Sequence, residues 1–139
     1  MDIRQITPAY AAAPQLDPSE LEQVAALGFK TLICNRPDEE IAAPQQMQAM
    51  RAAAQAAGLI FVANPVTRPT MDEARIGIQR KAMDAPGPVL AYCASGTRST
   101  MLWSLANAAT MPTDEILAAA ASGGYDLEAM RPMLDAAKS

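Results

Sequence analysis

The chain has 139 residues, half of them hydrophobic and 19% charged, with a net charge of −4. That length suits a single domain, residues 1–139, with one sizeable core. The acidic balance, with no long basic run, argues against a nucleic-acid binder; no apolar run is long enough to span a membrane; and Met1-Asp2-Ile3-Arg4-Gln5 lacks the apolar core of a signal peptide, so a soluble cytoplasmic protein is expected.

Ile3 to Ala12 holds two short candidate strands separated near Pro8. Asp17-Pro18-Ser19-Glu20 opens a helix, with Asp as N-cap, Pro at the first helical position and Glu three residues after the cap. Leu21, Val24, Ala25 and Leu27 form its buried stripe, and Gly28 is the expected left-handed stop. Phe29 to Cys34 follows as a strand, and Asn35-Arg36-Pro37-Asp38-Glu39-Glu40 as a polar loop.

A second helix runs from about Gln45 to Ala57 and closes on Gly58. Leu59 to Val62 is the next strand, ended by Asn64-Pro65. Thr70 caps a third helix, with Glu73 at its third helical position, that continues to about Asp84. Pro86-Gly87-Pro88 stops it and feeds the strand beginning at Val89. Further helices are expected from Ser99 to Ala109, from the cap Thr113-Asp114-Glu115 to Ser122-Gly123-Gly124, and from Asp126, where Pro132 interrupts or ends the first part. Alternating helices and strands imply an α/β fold in three layers, a mainly parallel central sheet flanked by helices. Trp103, the nine Met and Tyr92 read as packing residues.

The chemistry concentrates at Val89-Leu90-Ala91-Tyr92-Cys93-Ala94-Ser95-Gly96-Thr97-Arg98-Ser99. An apolar strand ends on a cysteine, a short loop of small residues turns, and a helix starts. Loop N–H groups at Ala94, Ser95, Gly96 and Thr97 can point inward, and the helix N-terminus adds positive potential. Arg98 supplies a full charge on a planar donor fork. Such surroundings favour the thiolate, which is a nucleophile, and the loop forms an oxyanion cradle around it. The plain alternative is a buried core thiol, but a core thiol needs neither Gly96 nor Arg98 nor Ser99.

Histidine is absent. That removes Ser-His-Asp and Cys-His catalysis, most zinc sites and any histidine base, and no metal or cofactor is expected. Two cysteines without a disulfide pattern fit reduced thiols, with Cys34 read as core. In a parallel sheet, ligands sit beyond the C-terminal strand ends, so the Asn35–Glu40 loop should share a rim with the Cys93 loop. Arg36 and Asp38 are candidate substrate-orienting residues there, with an exposed polar turn as the alternative. Asp72 is explained by its place in a first helical turn.

Cys93 to Ser99 resembles two groups of cysteine enzymes. Dual-specificity, tyrosine-phosphatase-like enzymes have a Cys, five residues, an Arg and then Ser or Thr. Rhodanese sulfurtransferases have a loop one residue shorter, which is the spacing between Cys93 and Arg98. Across the chain, Gly28-Phe29-Lys30-Thr31-Leu32-Ile33-Cys34-Asn35-Arg36-Pro37-Asp38, Ala57-Gly58-Leu59, Pro65-Val66, Leu102-Trp103 and Gly124-Tyr125-Asp126-Leu127 resemble a bacterial family of beta-lactamase-hydrolase-like, phosphatase-like domains. The resemblance implies a dual-specificity-phosphatase-like fold. It also implies a link to sulfur transfer, because some members are called sulfurtransferases and some are fused to a persulfide dioxygenase, which would be a partner. Dual-specificity phosphatases carry an aspartate acid after the strand corresponding to Leu59–Val62, whereas Asn64-Pro65-Val66-Thr67-Arg68-Pro69-Thr70 offers no acid before Asp72. Ester cleavage needs a proton for its leaving group; sulfane sulfur transfer does not.

The short loop and the missing acid make a rhodanese-like sulfurtransferase the leading expectation. In it Cys93 becomes a persulfide, the loop and Arg98 hold a small anionic sulfur donor, and Ser99 donates to the sulfur. The alternatives are a phosphatase with a phosphocysteine intermediate acting on a small phosphate substrate, and a non-catalytic anion- or protein-binding module.

Overall fold

The fold is seen in a computed structural model that describes residues 1–138. Five short strands, β1 (Arg4–Thr7), β2 (Tyr10–Ala13), β3 (Thr31–Cys34), β4 (Ile60–Ala63) and β5 (Val89–Tyr92), form one sheet in the order β1-β2-β5-β3-β4. Only β1 runs antiparallel to its neighbour; β2, β5, β3 and β4 pair in parallel. The α/β, mainly parallel, three-layer architecture therefore holds. β5 lies in the middle, flanked by β2 and β3, which puts the Cys93 turn at the centre of the C-terminal rim.

Six α-helices cover the sheet: α1 (Leu21–Ala26), α2 (Met47–Ala56), α3 (Glu73–Met83), α4 (Thr97–Asn107), α5 (Thr113–Ser122) and α6 (Arg131–Ala136). Alternation along β5 explains the two cores, because successive side chains point to opposite faces. Val89 and Ala91 join Ile6, Tyr10, Trp103, Ile116 and Leu134 on one face. Leu90 and Tyr92 join Leu21, Val24, Leu32, Cys34 and Met50 on the other. Parallel strands covered on both sides read as continuous apolar runs, and β2, β3 and β5 are buried at every position. Tyr10 and Trp103 stack obliquely, with ring centroids 6.2 Å apart, a pairing worth about 0.5–1.5 kcal/mol beyond its buried area.

The expected caps hold in part. Asp17 accepts from the Ser19 N–H while Glu20 accepts from the Asp17 N–H, a complete capping box, but the turn it opens is a 3-10 turn (Pro18–Glu20) leading into α1. α3 is capped by Asp72, not Thr70: its Oδ1 accepts from the Arg75 N–H at 3.0 Å. Thr67 and Thr70 instead cap each other around a separate 3-10 turn (Arg68–Thr70). Pro132 does not interrupt the last helix but sits in its first turn, where a missing N–H is harmless. The chain from Asp126 reaches that helix through a 3-10 turn (Glu128–Met130). α4 starts at Thr97, two residues earlier than the sequence implies, because Gly96 acts as its N-cap in the left-handed region at φ 91°. No helix is long and apolar enough to cross a membrane among the described residues.

Candidate active site

Cys93 follows β5 directly and is fully buried at the floor of the turn. Its N–H donates to the Ala13 carbonyl of β2 at 3.3 Å, which fixes the strand end. The turn then reverses within three residues, so that the Gly96 N–H donates back to Cys93 Sγ at 3.1 Å. A backbone donor thus meets the sulfur at the start of an eleven-residue helix.

Gly96 is required twice over. Its φ of 91° disfavours any side chain, and a Cβ there would clash with Tyr125 Oη. The turn is braced from two sides. Tyr125, after α5, donates from Oη to the Ser95 carbonyl at 3.0 Å. Tyr10, on β2, donates from Oη to the Ser99 carbonyl at 2.7 Å. Burial pushes the Tyr10 hydroxyl far above its ordinary range, so it stays a donor. Ser95 and Thr97 link their hydroxyls at 2.9 Å on the outer side of the turn, where Ala94 and Ser95 are exposed.

The expectation that Ser99 donates to the sulfur fails. Its Oγ donates to Asn35 Oδ1 at 2.8 Å. Asn35 is fully buried and its amide donates to the Asn64 carbonyl and to Gln79 Oε1, each at 2.9 Å. Gln79 in turn donates to Tyr10 Oη at 2.9 Å. This closed network ties the ends of β3 and β4 to β2, α3 and α4. Leaving one of its buried members unpaired costs about 1–3 kcal/mol. Asn64, beside the position where an acid is missing, is a structural amide: its Nδ2 donates to the Arg75 carbonyl and to Gln79 Oε1.

Arg98 leaves the first turn of α4 and reaches the neighbouring loops. Nη1 donates to the Val66 carbonyl at 2.8 Å and to Glu40 Oε2 at 2.9 Å; Nη2 donates to Glu40 Oε1 at 2.7 Å. The hydrogen bonds to Glu40, and behind them the Cys93 sulfur, raise the affinity of Arg98 for its proton against a partial burial that opposes it. The same bonds hold the Glu40 carboxyl below its ordinary range. The Asn35–Glu40 loop therefore does share the rim with Cys93, but through Glu40. Arg36 turns to Glu40 as well: its Nε donates to Oε1 at 3.3 Å and its Nη2 to the Glu40 carbonyl at 3.0 Å. Asp38 faces away from the cradle, its Oδ1 accepting from the Met47 N–H at 2.8 Å at the start of α2. Glu40, Asn35, Tyr10 and Tyr125 are the residues the sequence reading does not single out for the site. No group of three or more His, Cys, Asp or Glu stands ready to hold a metal among the described residues.

The profile of the beta-lactamase hydrolase-like protein, phosphatase-like domain family matches residues 2–110. The chain belongs to that family. It is 35% identical over 130 residues to a beta-lactamase hydrolase-like protein of Xylella fastidiosa, covering 91% of this chain but only 30% of that relative. The chain thus spans under a third of the length of the curated relatives it matches. It is also similar to the crystal structure of a candidate phosphatase from Neisseria meningitidis, with 38% identity, a TM-score of 0.85 and 99% of each chain covered. At the level of fold it resembles TpbA of Pseudomonas aeruginosa, crystallised in complex with pTyr, with 16% identity, a TM-score of 0.66, and 99% of this chain and 88% of that one covered.

These likenesses overturn sulfur transfer as the leading expectation. Rhodanese shares the length of one loop, whereas the family match spans residues 2–110 and the fold likeness to the Neisseria structure spans 99% of the chain. The domain is a phosphatase-like hydrolase.

Proposed function

We propose that this domain hydrolyses small phosphate monoesters through a phosphocysteine intermediate on Cys93, and that it does so in the cytoplasm. The observation that carries the reading is the pairing of a sulfur held by the Gly96 N–H with an arginine rooted in the same helix turn. The Cys93 thiolate attacks phosphorus, the S–P bond forms and the ester P–O bond breaks. Arg98 and the loop N–H groups not engaged with Cys93 Sγ or Ser95 Oγ hold the equatorial oxygens, where charge gathers. Water then attacks phosphorus, the S–P bond breaks, and phosphate leaves with the thiolate restored. Ser99 acts by fixing the turn through Asn35. Arg36 and Asp38 act on their own loop and not on substrate. Because Cys93 is fully buried, the Ala94–Thr97 turn must part for a phosphoryl group to reach the sulfur.

The Val66 carbonyl, which follows the missing acid, serves Arg98. With no acid supplied there, the leaving oxygen takes its proton from water, and esters with acidic leaving groups react best. Aryl phosphates should therefore be cleaved at least about a hundredfold faster than alkyl phosphates, a typical contribution of general-acid catalysis. The test is hydrolysis of p-nitrophenyl phosphate with acid quench and intact mass. A phosphoryl adduct on wild type that is absent from Cys93→Ser supports the reading. Aryl phosphate left intact by pure folded protein would overturn it.

A further inference from the structure

A guanidinium carries five N–H groups: two at Nη1, two at Nη2 and one at Nε. In Arg98, Nη1 spends one on Val66 and one on Glu40, and Nη2 spends one on Glu40. The Glu40 carboxylate thus caps the end edge of the guanidinium in a two-point pair. What remains is one N–H on Nη2 and the N–H on Nε. These two lie parallel along one side edge, the geometry that grips two oxygens of an oxyanion.

We propose that Glu40 is a positioning residue for oxyanion binding: by capping the end edge of Arg98, it turns the Nε–Nη2 edge to the Cys93 cradle. Glu40 is itself held in place. Arg36 grips both its carboxylate and its carbonyl, and Arg36 Nη1 is anchored on Gln15 Oε1 at 3.3 Å. The side chains of Arg98 and Arg36 are 14% and 17% exposed, and that of Glu40 is 33% exposed. The two arginines are largely covered, while Glu40 lies on the solvent side of the cluster and is held there by side-chain and carbonyl contacts from Arg36 and Arg98. Its charges sum to plus one, so it still attracts an anion, while Glu40 separates two arginines that would otherwise repel each other.

The proposal has a sign that simple electrostatics does not predict. Removing a negative charge beside an anion site should tighten anion binding if charge alone mattered. If orientation dominates, removing Glu40 weakens it. The phosphatase reading enters only in naming phosphate as the anion, and the readout is binding, so a protein without turnover would still answer the question. Calorimetric titration with inorganic phosphate is compared across wild type, Glu40→Ala, Glu40→Gln, Arg98→Ala and the Glu40→Ala/Arg98→Ala double variant, with thermal unfolding to check that each is folded. Glu40→Ala should weaken phosphate binding about tenfold in the wild-type background and less than about twofold in the Arg98→Ala background, because coupled residues are not additive. Glu40→Gln, which keeps one accepting oxygen, should fall between wild type and Glu40→Ala. Tighter binding in Glu40→Ala would make Glu40 a competitor for the fork and overturn the proposal. So would unchanged binding, or equal losses in both backgrounds.

Discussion

Cys34 and Cys93 end adjacent parallel strands and sit almost level on the rim, since Cys34 pairs in register with Tyr92, the residue before Cys93. Both are buried. Their hydrogen-bonding surroundings nevertheless differ. Cys34 Sγ donates to the Arg36 carbonyl at 3.4 Å, and burial is the main force on it, pushing the thiol up from its ordinary value. The chain after it wanders through Pro37 and two 3-10 turns before α2 begins at Met47. Cys93 accepts a backbone N–H, and α4 begins at Thr97. A strand end in an α/β rim therefore does not by itself bring a backbone donor to a sulfur. The immediate return into a helix, with a glycine at the reversal, supplies the donors that a strand end lacks.

The largest expected effect separates the two thiols directly. Cys93→Ser should lower kcat on an aryl phosphate by at least about 10⁴-fold, since it removes the atom that forms the intermediate. Cys34→Ala should stay within about threefold of wild type, because its side chain packs with Leu32, Leu90 and Tyr92 away from the turn. Steady-state kinetics on both variants decide the matter. A comparable loss in Cys34→Ala would show that the second thiol takes part in the reaction.

The next effect tests the turn that distinguishes them. Gly96→Ala places a Cβ against Tyr125 Oη in a backbone region that favours glycine. The strain should cost about 1–3 kcal/mol of stability. The displaced turn should lower kcat/KM about tenfold or more, as small misplacements at a reacting centre do. Thermal unfolding and kinetics measure both. Wild-type activity in a folded Gly96→Ala protein would mean that the Tyr125 brace does not set the cradle.

The Cys93 turn is legible in the sequence because its parts are contiguous: an apolar run, a cysteine, small residues, a glycine and an arginine. The same holds for the Asp17 capping box and the parallel sheet, which rest on local pattern. What the sequence hides is what closes over long separations. Tyr10 reaches Ser99 across 89 positions, and Arg98 reaches Glu40 across 58. No periodicity encodes either meeting, so Glu40 reads as one more charge in a polar loop, and Ser99 reads as a donor to the nearest sulfur. The loop length is a local feature too, and it points to rhodanese. The strand order and the covering helices are distributed features, and they point to phosphatases. The family assignment follows the distributed features because the whole scaffold, not one loop, carries the likeness.

The smallest effect reads Cys34 alone, through stability at high pH. A thiol is charged when deprotonated, and burial among apolar side chains penalises that form, so the folded protein holds the Cys34 proton above the ordinary value of 9.0. Below that value both the folded and unfolded chains keep the proton, and the group adds no pH dependence. Above it the unfolded chain loses the proton while the folded one retains it, so the folded state binds more protons and stability falls as pH rises. The slope from one such group cannot exceed about 1.4 kcal/mol per pH unit. Burial also pushes the hydroxyls of Tyr10 and Tyr92 upward from 10.0, so they add the same trend at higher pH, and Cys34 acts first. The measurement is denaturant unfolding at pH 7.5, 8.5, 9.5 and 10 for wild type and Cys34→Ala. The loss of stability between pH 8.5 and 10 should be smaller in the variant, and the difference reads Cys34 together with the part of the Tyr92 shift that Cys34 causes. Parallel curves would mean that the Cys34 thiol ionises as readily folded as unfolded, and the contrast between a shut thiol at β3 and a cradled one at β5 would lose its basis.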